Sequence, residues 1–228
     1  ATSTLNEVQY QVGKIGTVTP VAKITPTQLA GVTIGSISLH NEDFITSKDI
    51  RLGDQVLIER AGDVIPYIVK SFPELRTGKE QPIIFPDICP VCATELVREE
   101  GEAAWRCPNI NCQAQVLQRI IYHVSKGAMD ISGMGKALVE RFYELGWLRH
   151  ISDVYNLDYE KIQKLEGFGK KSAENLRKNI DKAKNNSLTR ILTSLSIHHV
   201  GRKASSILAA EVTHIFDLMD WEEADYLR

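Results

Sequence analysis

The sequence predicts a chain of three unlike parts: a small all-β barrel, a four-cysteine metal module and an all-α array of helices joined by glycine turns. Three observations predict it. Apolar residues alternate in twos up to about Phe72, which is the period of half-buried strands. All four cysteines fall between Cys89 and Cys112. Beyond Cys112 the apolar period becomes helical, and a Gly-containing turn recurs at a nearly fixed interval.

In the first part, alternation punctuated by Gly, Pro and Asp predicts strands at Val8–Val12, Thr17–Ile24, Val32–Leu39, Gln55–Arg60 and Val64–Lys70. Asn41 offers an N-cap with acids in the first turn, so a short helix is expected from Glu42 to about Lys48. Five strands with a helix between the third and fourth is the layout of an OB-fold barrel. Two turns carry a basic residue beside apolar ones: Lys14-Ile15 between two glycines, and Arg60-Ala61-Gly62-Asp63-Val64-Ile65. At a barrel rim such residues can hold a phosphate and lean on a base edge. An ordinary hairpin turn and the start of a core strand explain the same residues, and the sequence leaves both readings open. The Pro/Lys/Glu/Gly-rich stretch Pro73–Pro86 reads as a linker.

The cysteines stand at C-x2-C-x14-C-x4-C, in two knuckles that each carry a Cys-Pro pair, Cys89-Pro90 and Cys107-Pro108. Two knuckles can aim four thiolates at one point, as a tetrahedral zinc requires. The polar stretch between them is too short of apolar residues to build a core, so the metal must hold the module. With Cys89, Cys92, Cys107 and Cys112 filling every position, the expected zinc is structural rather than catalytic. The competing reading, two disulfides in a secreted protein, lacks a signal-peptide pattern, so the expected setting is reducing and cytosolic.

In the third part a turn of the form apolar-x-Gly-apolar-Gly precedes a helix three times: Ile131–Gly135 before Lys136, Leu165–Gly169 before Lys170, and Ile197–Gly201 before Arg202. The last glycines are 34 and 32 residues apart (169 minus 135, 201 minus 169). Gly133, Gly135, Gly167, Gly169 and Gly201 let the backbone turn with its N–H groups outward, and each following helix adds its positive end. Lys136, Lys170, Lys171, Arg202 and Lys203 add charge where a phosphate would sit. No side chain in the turns is shaped to read a base, so binding is expected to ignore sequence. Small residues, Ala137, Ala173 and Ala204, are expected on the inner helix faces. In the third copy His199 replaces the first glycine, and a distorted or weaker-binding turn is expected. The same turns also suit a plain helical scaffold.

Composition bounds rather than decides. The 228 residues are 43% hydrophobic and 25% charged, as in an ordinary globular protein, and the net charge is only -2. Charge is sorted along the chain: eight basic residues face three acids between Lys164 and Arg190, and six acids face one Arg from Glu211 on. No apolar run approaches a membrane span, and no nucleophile, Walker or dinucleotide motif occurs. The expected parts are a barrel at 1–75, linker and zinc module at 76–115, and helix-hairpin-helix domain at 116–228.

The words QVGKIGTVTPVA (11–22), SLHN (38–41), RAGDVIP (60–66), CPVC (89–92), AMDISGMG (128–135) and LEGFGKKSAENL (165–176) resemble the bacterial NAD-dependent DNA ligases across almost the whole chain. The resemblance implies binding to nicked duplex DNA in replication and repair. It places Lys14, Ile15, Val64 and Ile65 at the minor groove beside the nick, with Arg60 and Asp63 supporting that surface or nucleotide transfer, and the hairpins on the sugar-phosphate backbone. The family's adenylated lysine lies in an upstream Lys-x-Asp-Gly motif that has no match here, nor has its fourth hairpin or BRCT domain. The chain is therefore expected to bind DNA as a cytoplasmic, nucleoid-associated monomer without sealing nicks alone. NAD and Mg2+ would enter only through the missing nucleotidyltransferase domain. The rival reading is a zinc-stapled adaptor that binds a protein of a DNA repair complex.

Overall fold

The structure is a computed structural model, and it describes every residue except 63, 64, 227 and 228. The chain divides into two compact units, Ala1–Cys112 and Gln113–Arg228. No helix among the described residues is long and apolar enough to cross a membrane.

In the first unit β1 (Thr2–Val12), β2 (Val18–Leu29), β3 (Val32–Ser38), β5 (Gln55–Ala61) and β6 (Ile65–Ser71) form one antiparallel sheet in the order β3-β2-β1-β5-β6. Helix α1 (Glu42–Ser47) and the two-residue β4 (Arg51–Leu52) lie between β3 and β5. The alternation read from the sequence is the alternation observed: Val18, Pro20, Ala22 and Ile24 turn inward and their neighbours outward. Leu5, Ile24, Ile37, Val56 and Ile68, one from each strand, meet Ile45 of α1 in a single core, so the sheet curls around it in the OB manner. Asn41 caps α1 as expected, its Oδ1 accepting from the Phe44 amide at 2.8 Å.

Two strands are longer than the alternation predicted. β1 begins at Thr2 because Ser3, a polar residue, occupies an inward position and donates to the Thr25 carbonyl at 2.6 Å. β2 runs past Pro26 because the register shifts between Lys23 and Thr27, which takes the residue lacking an N–H out of the ladder.

Pro73–Pro86 is not a free linker. It forms a 3-10 turn at Pro73–Leu75 and a strand, β7 (Gln81–Pro82), paired with β4. Arg76 straps it to the barrel with two 2.8 Å bonds from Nε and Nη2 to Asp54, which is 1% exposed. Asp49 takes the remaining guanidinium donors, and the two carboxylates hold the Arg76 pKa above its ordinary value. Composition cannot reveal this, because the acids that make Arg76 an anchor lie more than twenty residues upstream.

The second unit is helical: α2 (Gln113–Val124), α3 (Lys136–Glu144), α4 (Tyr159–Ile162), α5 (Lys170–Ala183), α6 (Leu188–Ser194), α7 (Arg202–Glu211) and α8 (Glu223–Tyr226), with 3-10 turns at Ile151–Tyr155 and Ile215–Asp220. Its core gathers Ile120, Ile131, Phe142, Leu148, Ile162 and Ile180 around the first two hairpins. The small inner residues expected at Ala137 and Ala204 miss the inward position by two residues and by one. Ala173 is buried, but Ala137 is exposed and Ala204 only half-buried. The inward position falls four residues after the last glycine, which is Val139, Ala173 and Ser205.

A second, longer repeat also emerges. Asp153 accepts from the Arg149 and His150 amides at 2.7 and 2.8 Å, and Asp217 accepts from Thr213 and His214 at 3.0 and 2.7 Å. The two caps are 64 residues apart (217 minus 153). Hairpin, helix, 3-10 turn and short helix thus occur twice in the same order.

Candidate nucleic-acid interface and metal centre

The four sulfurs lie within 4.8 Å of one another. Cys89–Cys112 measure 3.9 Å and Cys92–Cys107 3.5 Å between Sγ atoms. Four Zn–S bonds of about 2.3 Å in a tetrahedron put sulfurs about 3.8 Å apart, so these thiols fit zinc without rearrangement. The knuckle at Cys89 is closed by the Ala93 amide on the Cys89 carbonyl at 3.0 Å, with Ala93 at φ 57°. Burial pushes the Cys107 thiol up to about 12. Cys92 is raised by burial less than it is lowered by the Thr94 hydroxyl and amide and its neighbouring thiols, and it falls to about 6. The bound ion would have to displace the Cys107 proton.

The module is docked on the barrel. The Val18 amide donates to the Trp105 carbonyl and the Cys107 amide to the Gly16 carbonyl, both at 2.9 Å. Trp105 Nε1 donates to Glu42 at 2.8 Å, and Arg98 pairs with Asp43 at 2.6 Å. Trp105 also stacks on the buried Phe85, with centroids 6.4 Å apart. None of these partners is signalled by the cysteine spacing.

Lys14 and Ile15 stand half-buried in the five-residue connection between β1 and β2, closed by Gly13 N to Thr17 O at 2.9 Å and Gly16 N to Gly13 O at 3.0 Å. Arg60 lies near the end of β5, its Nη1 3.5 Å from the Ala30 carbonyl in the β2–β3 turn. Ile65 opens β6 and is 66% exposed. Asp63 and Val64 lie outside the described residues.

All three hairpins share one backbone. The amides of Met134, Phe168 and Val200 donate to the carbonyls of Ile131, Leu165 and Ile197 at 3.1, 2.9 and 3.1 Å. The third residue of each turn has positive φ: 83° at Gly133, 81° at Gly167 and 62° at His199. This is the type II pattern, which needs a left-handed residue there. The distortion expected from His199 is therefore absent, because His tolerates that region better than most side chains.

Gly135, Gly169 and Gly201 then cap α3, α5 and α7 in extended conformation. A Cβ added at any of the three, or at Gly167, would meet nothing within 4 Å. The glycines are thus not required by internal packing at those positions, and the space beside them is open to an outside group. Lys136, Lys170, Lys171, Arg202 and Lys203 are all exposed at the starts of the helices that follow. An oxyanion placed there would meet main-chain amides, helix dipole and ammonium or guanidinium groups together.

Family models match along the chain. One described as the NAD-dependent DNA ligase OB-fold domain covers residues 2–80, and one described as the NAD-dependent DNA ligase C4 zinc finger domain covers 89–114. The chain belongs to the NAD-dependent DNA ligase family. A SAM-like helix-hairpin-helix tandem model matches residues 126–182, which hold the first two hairpins of this ligase-family chain. Relatives named DNA ligase include those of Persephonella marina, 56% identical over 228 residues, and Sulfurihydrogenibium azorense, 49% over 228, each matching 100% of this chain. That of Aquifex aeolicus is 48% identical over 220 residues, 96% of the chain. The chain spans about a third of the length of these curated relatives, 32% of the first.

Proposed function

We propose that this chain is the duplex-gripping portion of an NAD-dependent DNA ligase. It binds the sugar-phosphate backbone without sequence preference, while nick sealing with NAD and Mg2+ requires parts of the ligase outside these residues. The observation that carries this reading is the threefold turn with open glycine positions, each followed at once by a helix and by exposed Lys or Arg. Backbone amides and point charges recognise phosphate, which every sequence shares. Lys14, Ile15, Arg60 and Ile65, with Asp63 and Val64, form the barrel's contribution at the minor groove of nicked DNA. Cys89, Cys92, Cys107 and Cys112 hold a structural zinc that fixes Trp105 and its neighbours against the barrel. The working unit is a monomer.

Competition binding tests it. A labelled nicked duplex should be displaced equally well by unlabelled duplexes of unrelated sequence, and incubation of nicked duplex with NAD and this chain alone should yield no sealed product. Strong preference for one sequence, or sealing by the chain alone, contradicts the proposal.

A further inference from the structure

The first two hairpins are held by each other's helices. Asn179, on α5 after hairpin two, donates from Nδ2 to the Ser132 carbonyl in hairpin one at 2.8 Å. Arg141, on α3 after hairpin one, donates from Nη1 to the Glu166 carbonyl in hairpin two at 2.8 Å. Ser132 and Glu166 occupy the same place, the second residue of their turns, immediately before Gly133 and Gly167. The carbonyl of residue 132 and the amide of Gly133 belong to one planar trans peptide, so they point in opposite directions. Holding the carbonyl toward α5 aims the Gly133 amide away from it. The same holds for Glu166 and Gly167 against α3. A type II turn can flip this central peptide at small cost when the next residue is glycine, so an external hold decides its direction.

We infer that Asn179 and Arg141 are positioning residues which set the Gly133 and Gly167 amides for phosphate, and that they couple the two hairpins into one binding unit. The inference rests on the phosphate-binding reading above. Asn179 is neutral, so removing it takes no charge from the surface. Asn186 provides a comparison: its Nδ2 donates at 2.7 Å to the carbonyl of Met129, which lies before the turn and cannot orient the Gly133 peptide.

A double-mutant cycle on duplex affinity tests it, using the whole chain. Gly135→Val disables hairpin one at an unstrained position, and Gly201→Val does the same for hairpin three. Asn179→Ala should weaken binding about fivefold, roughly 1 kcal/mol, in the parent and in the Gly201→Val background. In the Gly135→Val background it should add less than about twofold, while Asn186→Ala adds its full effect, if any, in every background. The melting temperature of Asn179→Ala should stay within a few degrees of the parent. Unchanged affinity for Asn179→Ala, or an equal loss in all three backgrounds, overturns the inference while leaving the function reading intact. Should Asn179→Ala fail to fold, Arg141→Ala against Gly169→Val reads the same cycle on hairpin two. A parent chain that ignores duplex removes the function reading, and the inference with it.

Discussion

His123 shows how a single buried group makes the helical unit sensitive to acid. It is 4% exposed, with Nε2 2.8 Å from the Tyr155 hydroxyl, and burial lowers its pKa to about 4, a backbone contact at Ser194 pulling weakly the other way. The unfolded chain, with an ordinary histidine near 6.5, takes up the proton first. Stability is therefore fully present above about pH 6.5 and falls as the pH drops toward 4, by up to about 3 kcal/mol. Thermal melts at pH 7, 6, 5 and 4 should show this decline, and His123→Gln should flatten it; parallel curves for both proteins contradict the assignment. Gly167 and Gly169 differ in the same instructive way. Gly169 has φ -145° and Gly167 φ 81°, and both have open space where a Cβ would go. Gly169→Ala should leave the melting temperature in place and weaken duplex binding, whereas Gly167→Ala should also lose about 1 kcal/mol of stability from the left-handed backbone. A collapse of stability in Gly169→Ala favours a purely structural turn.

Among elements, the zinc module and the strap before it show what local patterning can and cannot reveal. Cys107→Ser removes a ligand from a four-sulfur cluster, and a structural zinc contributes on the order of 10 kcal/mol in small finger peptides. The variant should hold no stoichiometric zinc by atomic absorption, and Trp105 fluorescence should shift as its place beside Phe85 and Glu42 loosens; full zinc content contradicts the four-cysteine site. Arg76→Met leaves the buried Asp54 without its guanidinium and should cost the barrel about 3 kcal/mol, measured by urea unfolding of the first unit. The cysteine spacing, the strand alternation, the Asn41 cap and the helix starts after Gly135, Gly169 and Gly201 were all legible, because each depends on residues close in sequence. Arg76 with Asp54, Trp105 with Glu42, and Asn179 with Ser132 were not, because they join positions 22, 63 and 47 apart. The 64-residue repeat of aspartate caps is hidden in the sequence for a different reason. A His-x-x-Asp cap is too short a word to stand out until its backbone bonds are seen.

For the molecule as a whole, the near-zero net charge hides a local design. One basic residue stands at the start of α3 and two each at the starts of α5 and α7, while the stretch from Glu211 onward is acidic. On the function proposed, affinity for DNA depends on where charge and amides sit and not on the chain's overall balance. The central claim, that three hairpins hold phosphates, is tested most directly by titrating one labelled duplex with the chain at several salt concentrations. Each neutralised phosphate contributes about 0.9 to the slope of log affinity against log salt, so one contact per hairpin predicts a slope of about -3, steeper with the barrel's contacts. A flat dependence, or no binding in dilute buffer, contradicts the account.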